Sequence, residues 1–137
     1  MMTISRVKEW YEGLTEKSLE SISEFYARDC FFKDPFNEFR GIDKIARVFL
    51  HMFEEMEKPR FIFLDMIDGG DQYFITWDFI FVMKGKEHRI HGSSHLKISN
   101  DKIVYHRDYW DVGEEVLLKI PVIRSIYGLL VNKLKVE

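Results

Sequence analysis

Strand-forming runs in the second half of the chain are joined by turns of only a few residues. "RFIFLDMID" is separated from "QYFITWDFIFVM" by the turn "DGGD" at 68–71; "KGK" leads on to "EHRIHGSSHLKIS"; "ND" at 100–101 leads on to "KIVYHRDYWDV". A parallel crossover needs a dozen or more residues, so connections this short admit only antiparallel neighbours. The last strands are therefore expected to form an antiparallel meander.

The first half has a different rhythm. Ile4, Val7, Tyr11 and Leu14 recur at helical spacing with Trp10 beside them, and Thr3 or Ser5 can cap the helix they predict. Ser18 can cap a second helix with the apolar face Leu19, Ile22, Phe25 and Tyr26. "CFFKDP" reads as a short strand stopped by Pro35, and "FNEFRG" as a loop. Ile42, Ile45, Ala46, Phe49, Phe53 and Met56 form the stripe of a third helix, closed by Pro59. The order predicts a single α+β domain over residues 1–137: a curved antiparallel sheet wrapped by N-terminal helices into a cone with a central cavity, plus a C-terminal helix. That last segment, residues 114–135, is strongly apolar and is broken or kinked at Pro121. It is expected to close the cavity mouth or pack at a dimer interface, the alternative being contact with a membrane surface.

Composition narrows the function classes. The chain has 137 residues, enough for one domain with a core, and 46% hydrophobic with 15% aromatic content argues against disorder. A formal charge of −3 with interspersed signs lacks the basic stripe of a nucleic-acid binder. Cys30 is the only cysteine, so no internal disulfide forms and a reducing compartment is expected. "MMTISRVKEW" lacks the apolar core of a signal peptide, and no uncharged apolar run is long enough to span a bilayer; the expected location is cytoplasmic.

The chemistry concentrates in "YHRDYWD" at 105–111. Strand alternation sends His106, Asp108 and Trp110 to one face and Tyr105, Arg107 and Tyr109 to the other. If Asp108 faces the cavity, Trp77, Phe79, Phe81, Ser94, Phe32 and Asp34 are expected around it. Few polar groups on aromatic walls suit a small-molecule site. A carboxylate among aromatic rings, coupled to a second carboxylate or a histidine, suits proton transfer. The acid/base roles then fall to Asp108 and Asp34, with His106 orienting or protonating and Ser94 bonding a substrate oxygen. Each residue also has a plain alternative: Asp108 satisfied by neighbouring donors, Asp34 beginning the turn at Pro35, His106 bonding Asp108 or a tyrosine. The outer face, with Asp78, His91, His95, Tyr105, Arg107 and Tyr109, has the mixture of an interface, and Asp78 could pair with Arg107 there.

With "YARDCFFKDP" early and "RDYWD" late, the chain resembles the nuclear-transport-factor-2-like superfamily, and within it the SnoaL-like and limonene-epoxide-hydrolase-like branch. The superfamily holds isomerases, cyclases, dehydratases, epoxide hydrolases and proteins without activity, so the resemblance implies a fold before a reaction. Asp34, just before Pro35, looks like the proton-shuttling Asp of ketosteroid isomerases. Their oxyanion-stabilising Tyr falls on Trp10, with Tyr11 adjacent, and their protonated Asp falls roughly on Ser94. Asp108 matches the first Asp of the "RDYFD"-type motif of limonene epoxide hydrolases. The other members of that triad, an Arg and a second Asp, are replaced by Trp77 and Phe79, so epoxide hydrolysis as that family performs it is not expected.

The resulting expectation is a cofactor-free isomerase, cyclase or dehydratase acting on a small apolar carbonyl-bearing molecule. The alternative is a non-catalytic domain that binds a hydrophobic ligand or serves only as a structural dimer. A homodimer through the outer sheet face is expected, as the superfamily implies. No metal is expected: His91 and His95 share a strand face but lie about 13 Å apart at ~3.3 Å per residue, and there is no phosphate loop or dinucleotide fingerprint.

Overall fold

The computed structural model describes residues 1–115, so the apolar segment from 116 onward lies outside the described residues. Helix α1 spans Ile4–Glu12, a 3₁₀ helix Lys17–Glu24, strand β1 Tyr26–Lys33, β2 Glu38–Arg40 and α2 Ile42–Glu55. Four long strands follow: β3 Glu57–Asp68, β4 Gln72–Met83, β5 Lys86–Ser99 and β6 Lys102–Tyr109. A short helix α3, Val112–Glu115, ends the described chain. The strands form one sheet in the order β2-β1-β6-β5-β4-β3.

The meander over β3 to β6 is antiparallel as expected, and its turns show why. Met83 pairs with Lys86 across Lys84 and Gly85, whose φ angles are 53° and 74°. Ser99 pairs with Lys102 across Asn100 and Asp101, at 50° and 61°. Two central residues in the left-handed region match the right-handed twist of the flanking strands.

The sheet departs from the expected all-antiparallel form at one pairing: β1 runs parallel to β6. The whole β2-to-β5 path, with α2 in it, lies between them and supplies the crossover that a parallel pair requires. The "FNEFRG" stretch is also not all loop, because Glu38–Arg40 turn back on β1 as β2, with Phe32 opposite Phe39. The second helix is 3₁₀ rather than α. Its apolar residues Leu19, Ile22 and Phe25 recur every third position, the period of that tighter helix.

Thr3 caps α1, its hydroxyl accepting from the Arg6 amide at 3.1 Å. Pro59 lies in β3, an edge strand, where a missing N–H is tolerated. Helix α1 packs on β3, and α2 packs on β1, β3 and the 3₁₀ helix. The core is one cluster that joins Val7, Trp10 and Tyr11 of α1, Ile45 and Phe49 of α2, and the inward side chains of the sheet. Cys30 is fully buried in β1 with its thiol directed at the Phe31 carbonyl at 3.3 Å. Burial, reinforced by the Asp29 charge and opposed by Arg40, pushes this thiol up to about 12.

Candidate functional site

The face assignment of "YHRDYWD" holds. His106 is 1% exposed, and its Nε2 lies 2.6 Å from Asp108 Oδ1 on the same face of β6. Register then builds the surroundings. Asp108 pairs with Ser94 of β5, and Ser94 Oγ donates to Asp108 Oδ1 at 2.5 Å. Trp77 of β4 pairs with Gly92, two residues before Ser94, and its indole N–H reaches Ser94 Oγ at 2.8 Å. A Cβ on Gly92 would lie 2.6 and 2.9 Å from two carbons of the Trp77 ring, so glycine is what lets the indole lie across β5.

On the other side of His106 stand two tyrosines. Tyr26, at the start of β1, places its hydroxyl 2.7 Å from His106 Nδ1, and its ring stacks on the imidazole at 5.8 Å. Tyr11 of α1 bonds the Tyr26 hydroxyl and lies 3.3 Å from the same Nδ1. One proton arrangement that satisfies every member runs from Tyr11 O–H to Tyr26, from Tyr26 O–H to His106 Nδ1, and from His106 Nε2–H to Asp108 Oδ1. Ser94 also donates to Asp108 while accepting from Trp77. Burial raises both tyrosines well above the ordinary phenol value; next largest are the Asp108 charge for Tyr11 and the Tyr11 charge for Tyr26. They therefore remain protonated donors across the physiological range.

Both protein donors to Asp108 land on Oδ1. Oδ2 has no hydrogen-bond partner among the described residues. Asp108 also borders an open depression of about 510 Å³, together with Asp34, Lys33, Arg107, Tyr109 and Trp110. Trp110 is half-buried there, edge-on to Phe36 at 5.5 Å.

The other expected site residues fall into distinct places. Asp34 borders the depression, but its Oδ1 accepts from the Phe36 and Asn37 amides at 2.8 and 2.7 Å, the geometry of a residue that opens a turn. Phe32, Trp77, Phe79 and Phe81 belong to the packed cluster at 8% exposure or less. Of these, Trp77 belongs to the network through Ser94, and Phe32 touches it, its ring 4.8 Å from His106. On the outer face Asp78 pairs with Arg89 at 2.6 Å and His91 at 3.0 Å rather than with Arg107, whose guanidinium lies over the Tyr109 ring. Burial raises the Asp78 carboxyl, but the bonds from His91 and Arg89 and their charges outweigh it and hold the group below its ordinary value.

Sequence reasoning did not assign Tyr11 or Tyr26 to the site. Tyr11 carried a weak signal, since it stands next to the position that matches a functional tyrosine in related enzymes. Tyr26 carried none, because it joins His106 across 80 residues of chain.

A helix-covered six-stranded sheet with a His–Asp pair on its last strand defines an α+β domain of the ketosteroid-isomerase-like fold. Residues 7–106 match the SnoaL-like domain model, and the chain belongs to that family. No curated protein matches the chain. Among solved structures, a protein of nuclear-transport-factor-2-like fold and unknown function from Burkholderia pseudomallei aligns with TM-score 0.71 at 17% identity, over 82% of this chain and 95% of that one. A limonene-epoxide-hydrolase-like epoxide hydrolase from Mycobacterium tuberculosis aligns with TM-score 0.70 at 15% identity, over 94% and 95%. A SnoaL-like polyketide cyclase, so described, from Shewanella putrefaciens aligns with TM-score 0.64 at 18% identity, over 79% and 80%. At these identities the likeness establishes the fold. Among the described residues no helix is long and apolar enough to cross a membrane.

Proposed function

We propose that this protein is a cofactor-free acid/base enzyme of the isomerase, cyclase or dehydratase type, acting on a small apolar molecule that bears a carbonyl. One observation carries the reading: Asp108 is held through Oδ1 alone, while the residue borders the depression beside Trp110. In this reading Oδ2 is the base, taking a proton from the carbon next to the substrate carbonyl. His106 and Ser94 are positioning residues that fix the carboxylate, with Tyr26 and Tyr11 fixing the imidazole in turn. Lys33 and Arg107 also border the depression, but from the strand face opposite Asp108, Lys33 paired with Glu38 at 2.9 Å and Arg107 lying over the Tyr109 ring. Asp34 shares the depression and could return the proton only by exchanging its turn bonds.

A second reading has its own observation. Apart from Asp108 Oδ2, the members of the network satisfy one another, and the aromatic residues near it are packed core. That favours a domain which binds a hydrophobic ligand, or which is purely structural, with the polar chain serving to fix the interior.

Asp108→Asn separates the readings. An amide oxygen in the place of Oδ1 keeps both incoming bonds, and only the unpartnered oxygen becomes an NH₂. Proton NMR in deuterated buffer would follow exchange of the α-protons in a panel of cyclic and aryl ketones. The wild type is expected to accelerate exchange in at least one of them, and Asp108→Asn to lose roughly 10²–10⁴-fold of that rate. Equal rates in the two proteins, or no acceleration over buffer, would reject catalysis and favour the binding reading. A homodimer through the outer sheet face is part of the same proposal, since Phe74 and Tyr109 stand 38% and 43% exposed there. Light scattering should return twice the chain mass, and a monomer at high concentration would remove that part.

A further inference from the structure

A second concavity lies on the far side of the Asp34–Asn37 turn, between β2 and α2. It is a cleft of about 370 Å³ lined by Asn37, Phe39, Lys44, Arg47, Val48 and His51. Its composition follows from helical spacing. Lys44, Arg47, Val48 and His51 stand three or four residues apart on one flank of α2, beside the stripe of Ile45 and Phe49 that enters the core. Val48 and Phe39 form an apolar floor, both partly buried against the core. The three basic side chains form the wall.

The charge arrangement is unusual for this chain, whose acidic residues outnumber its Lys and Arg by 23 to 20. Asp43 stands one turn before Arg47, and Glu54 and Glu55 one turn after His51, the positions from which helical ion pairs form. Yet among the described residues the salt bridges are Lys33–Glu38, Arg60–Glu87, Arg89–Asp78, His91–Asp78 and His106–Asp108, and none includes Lys44, Arg47 or His51. Three donors on one helix flank face a cleft with an apolar floor, without an acidic partner. Lys44 and Arg47, three residues apart on this flank, repel each other until an anion is added.

We propose that this cleft is a binding site, separate from the Asp108 depression, for a small amphiphilic organic anion. The carboxylate head is held by Lys44, Arg47 and His51, and the apolar body lies on Phe39 and Val48. At ~30 Å³ per water-sized group the cleft has room for roughly a dozen non-hydrogen atoms, the size of a medium-chain carboxylate. The guanidinium fork of Arg47 suits a carboxylate better than a point charge does. Phe39 stacks on Phe32 at 5.2 Å, and Phe32 lies 4.8 Å from His106, so one ring, Phe32, separates the floor of this cleft from the polar network.

The test is a titration of the isotope-labelled protein with sodium decanoate, followed by amide chemical shifts. Saturable shifts are expected at residues 39, 44, 47, 48 and 51, with binding at least tenfold weaker in Lys44→Gln/Arg47→Gln. Both substitutions are on an exposed helix face and keep good helix formers, and circular dichroism confirms that the variant is folded. Decanol tests the charge and inorganic phosphate tests the apolar body; each is expected to bind at least tenfold more weakly than decanoate. Any of these results would overturn the proposal: decanoate shifts confined to residues around Asp108 and Trp110, unchanged affinity in the double variant, or decanol binding as tightly as decanoate. Phosphate binding as tightly as decanoate would also overturn it, reducing the site to a simple anion contact.

Discussion

Two tryptophans, similar in burial, differ in what their indole nitrogens do. Trp77 donates to Ser94, whereas Trp10 Nε1 is buried without a partner among the described residues. Replacing Trp77 by Phe removes a bond and leaves Ser94 short of a donor, a loss of about 2–4 kcal/mol with the space vacated. Replacing Trp10 by Phe also loses volume, but it removes an unsatisfied N–H whose burial costs about 1–3 kcal/mol. Urea denaturation should therefore place Trp10→Phe within about 1 kcal/mol of wild type and Trp77→Phe clearly below it; equal losses would contradict the contrast. The same scale shows what a sequence can reveal. Strand alternation has a period of two, so His106, Asp108 and Trp110 could be put on one face from their numbers alone. The partners of His106 could not, because Tyr11 and Tyr26 reach it across 95 and 80 residues of chain. Asp34 had two legible roles, and Pro35 behind it foretold the one whose bonds the structure shows.

At the scale of elements, the hairpins were readable further than they were read. Counting outward from the two-residue turn at Lys84 and Gly85 pairs 83 with 86, and hence 78 with 91 and 80 with 89. That register brings Asp78 against His91 and, diagonally, Arg89, both on β5, whereas the Arg107 partner expected for it lies one strand further, on β6. The parallel β1–β6 pair was not readable, because no local turn sets it; it depends on where the chain returns after α2 and the meander. Register also fixes the one demanding contact between β4 and β5. Gly92→Ala drives a Cβ into the Trp77 ring and to 3.1 Å from Trp110 Cβ, an overpacking that should cost about 1–3 kcal/mol. The ring carbons it meets are absent from phenylalanine at that reach. In a Trp77→Phe background the Gly92→Ala penalty should mostly disappear, and a double-mutant cycle by chemical denaturation would read the difference. Additive losses would mean that the Gly92–Trp77 contact is not what restricts position 92.

Across the whole molecule, two groups of ionisable residues set opposite ends of the pH–stability curve. Asp78 is held below its ordinary value, so its contribution is complete above the unfolded carboxyl value of about 3.9 and fades as pH falls through the lower folded value. Tyr11 and Tyr26 act at the other end. Above pH of about 10 the unfolded chain releases their protons while the folded protein keeps them, because burial holds both phenols protonated. The folded state then binds more protons than the unfolded one, so stability falls as pH rises. The urea midpoint should begin to fall above pH of about 8.5, where the unfolded chain releases the Cys30 proton that the folded protein keeps, and drop more steeply above about 10, where the two tyrosines add to it. Tyr26→Phe should begin lower, by about 1–3 kcal/mol for the bond lost at His106 Nδ1. Its alkaline slope should also be shallower, because one of the two retained protons is gone and the other tyrosine has lost its neighbour. The wild-type and variant curves should therefore converge with increasing pH. Parallel curves would show that the alkaline limb belongs to other groups, and that the tyrosine pair is no more protected from ionisation than an exposed phenol. Convergence would tie the network that fixes Asp108 to the global stability of the fold, since the element holding Tyr26, β1, is the strand that joins β6 and its His–Asp pair to the helical layer.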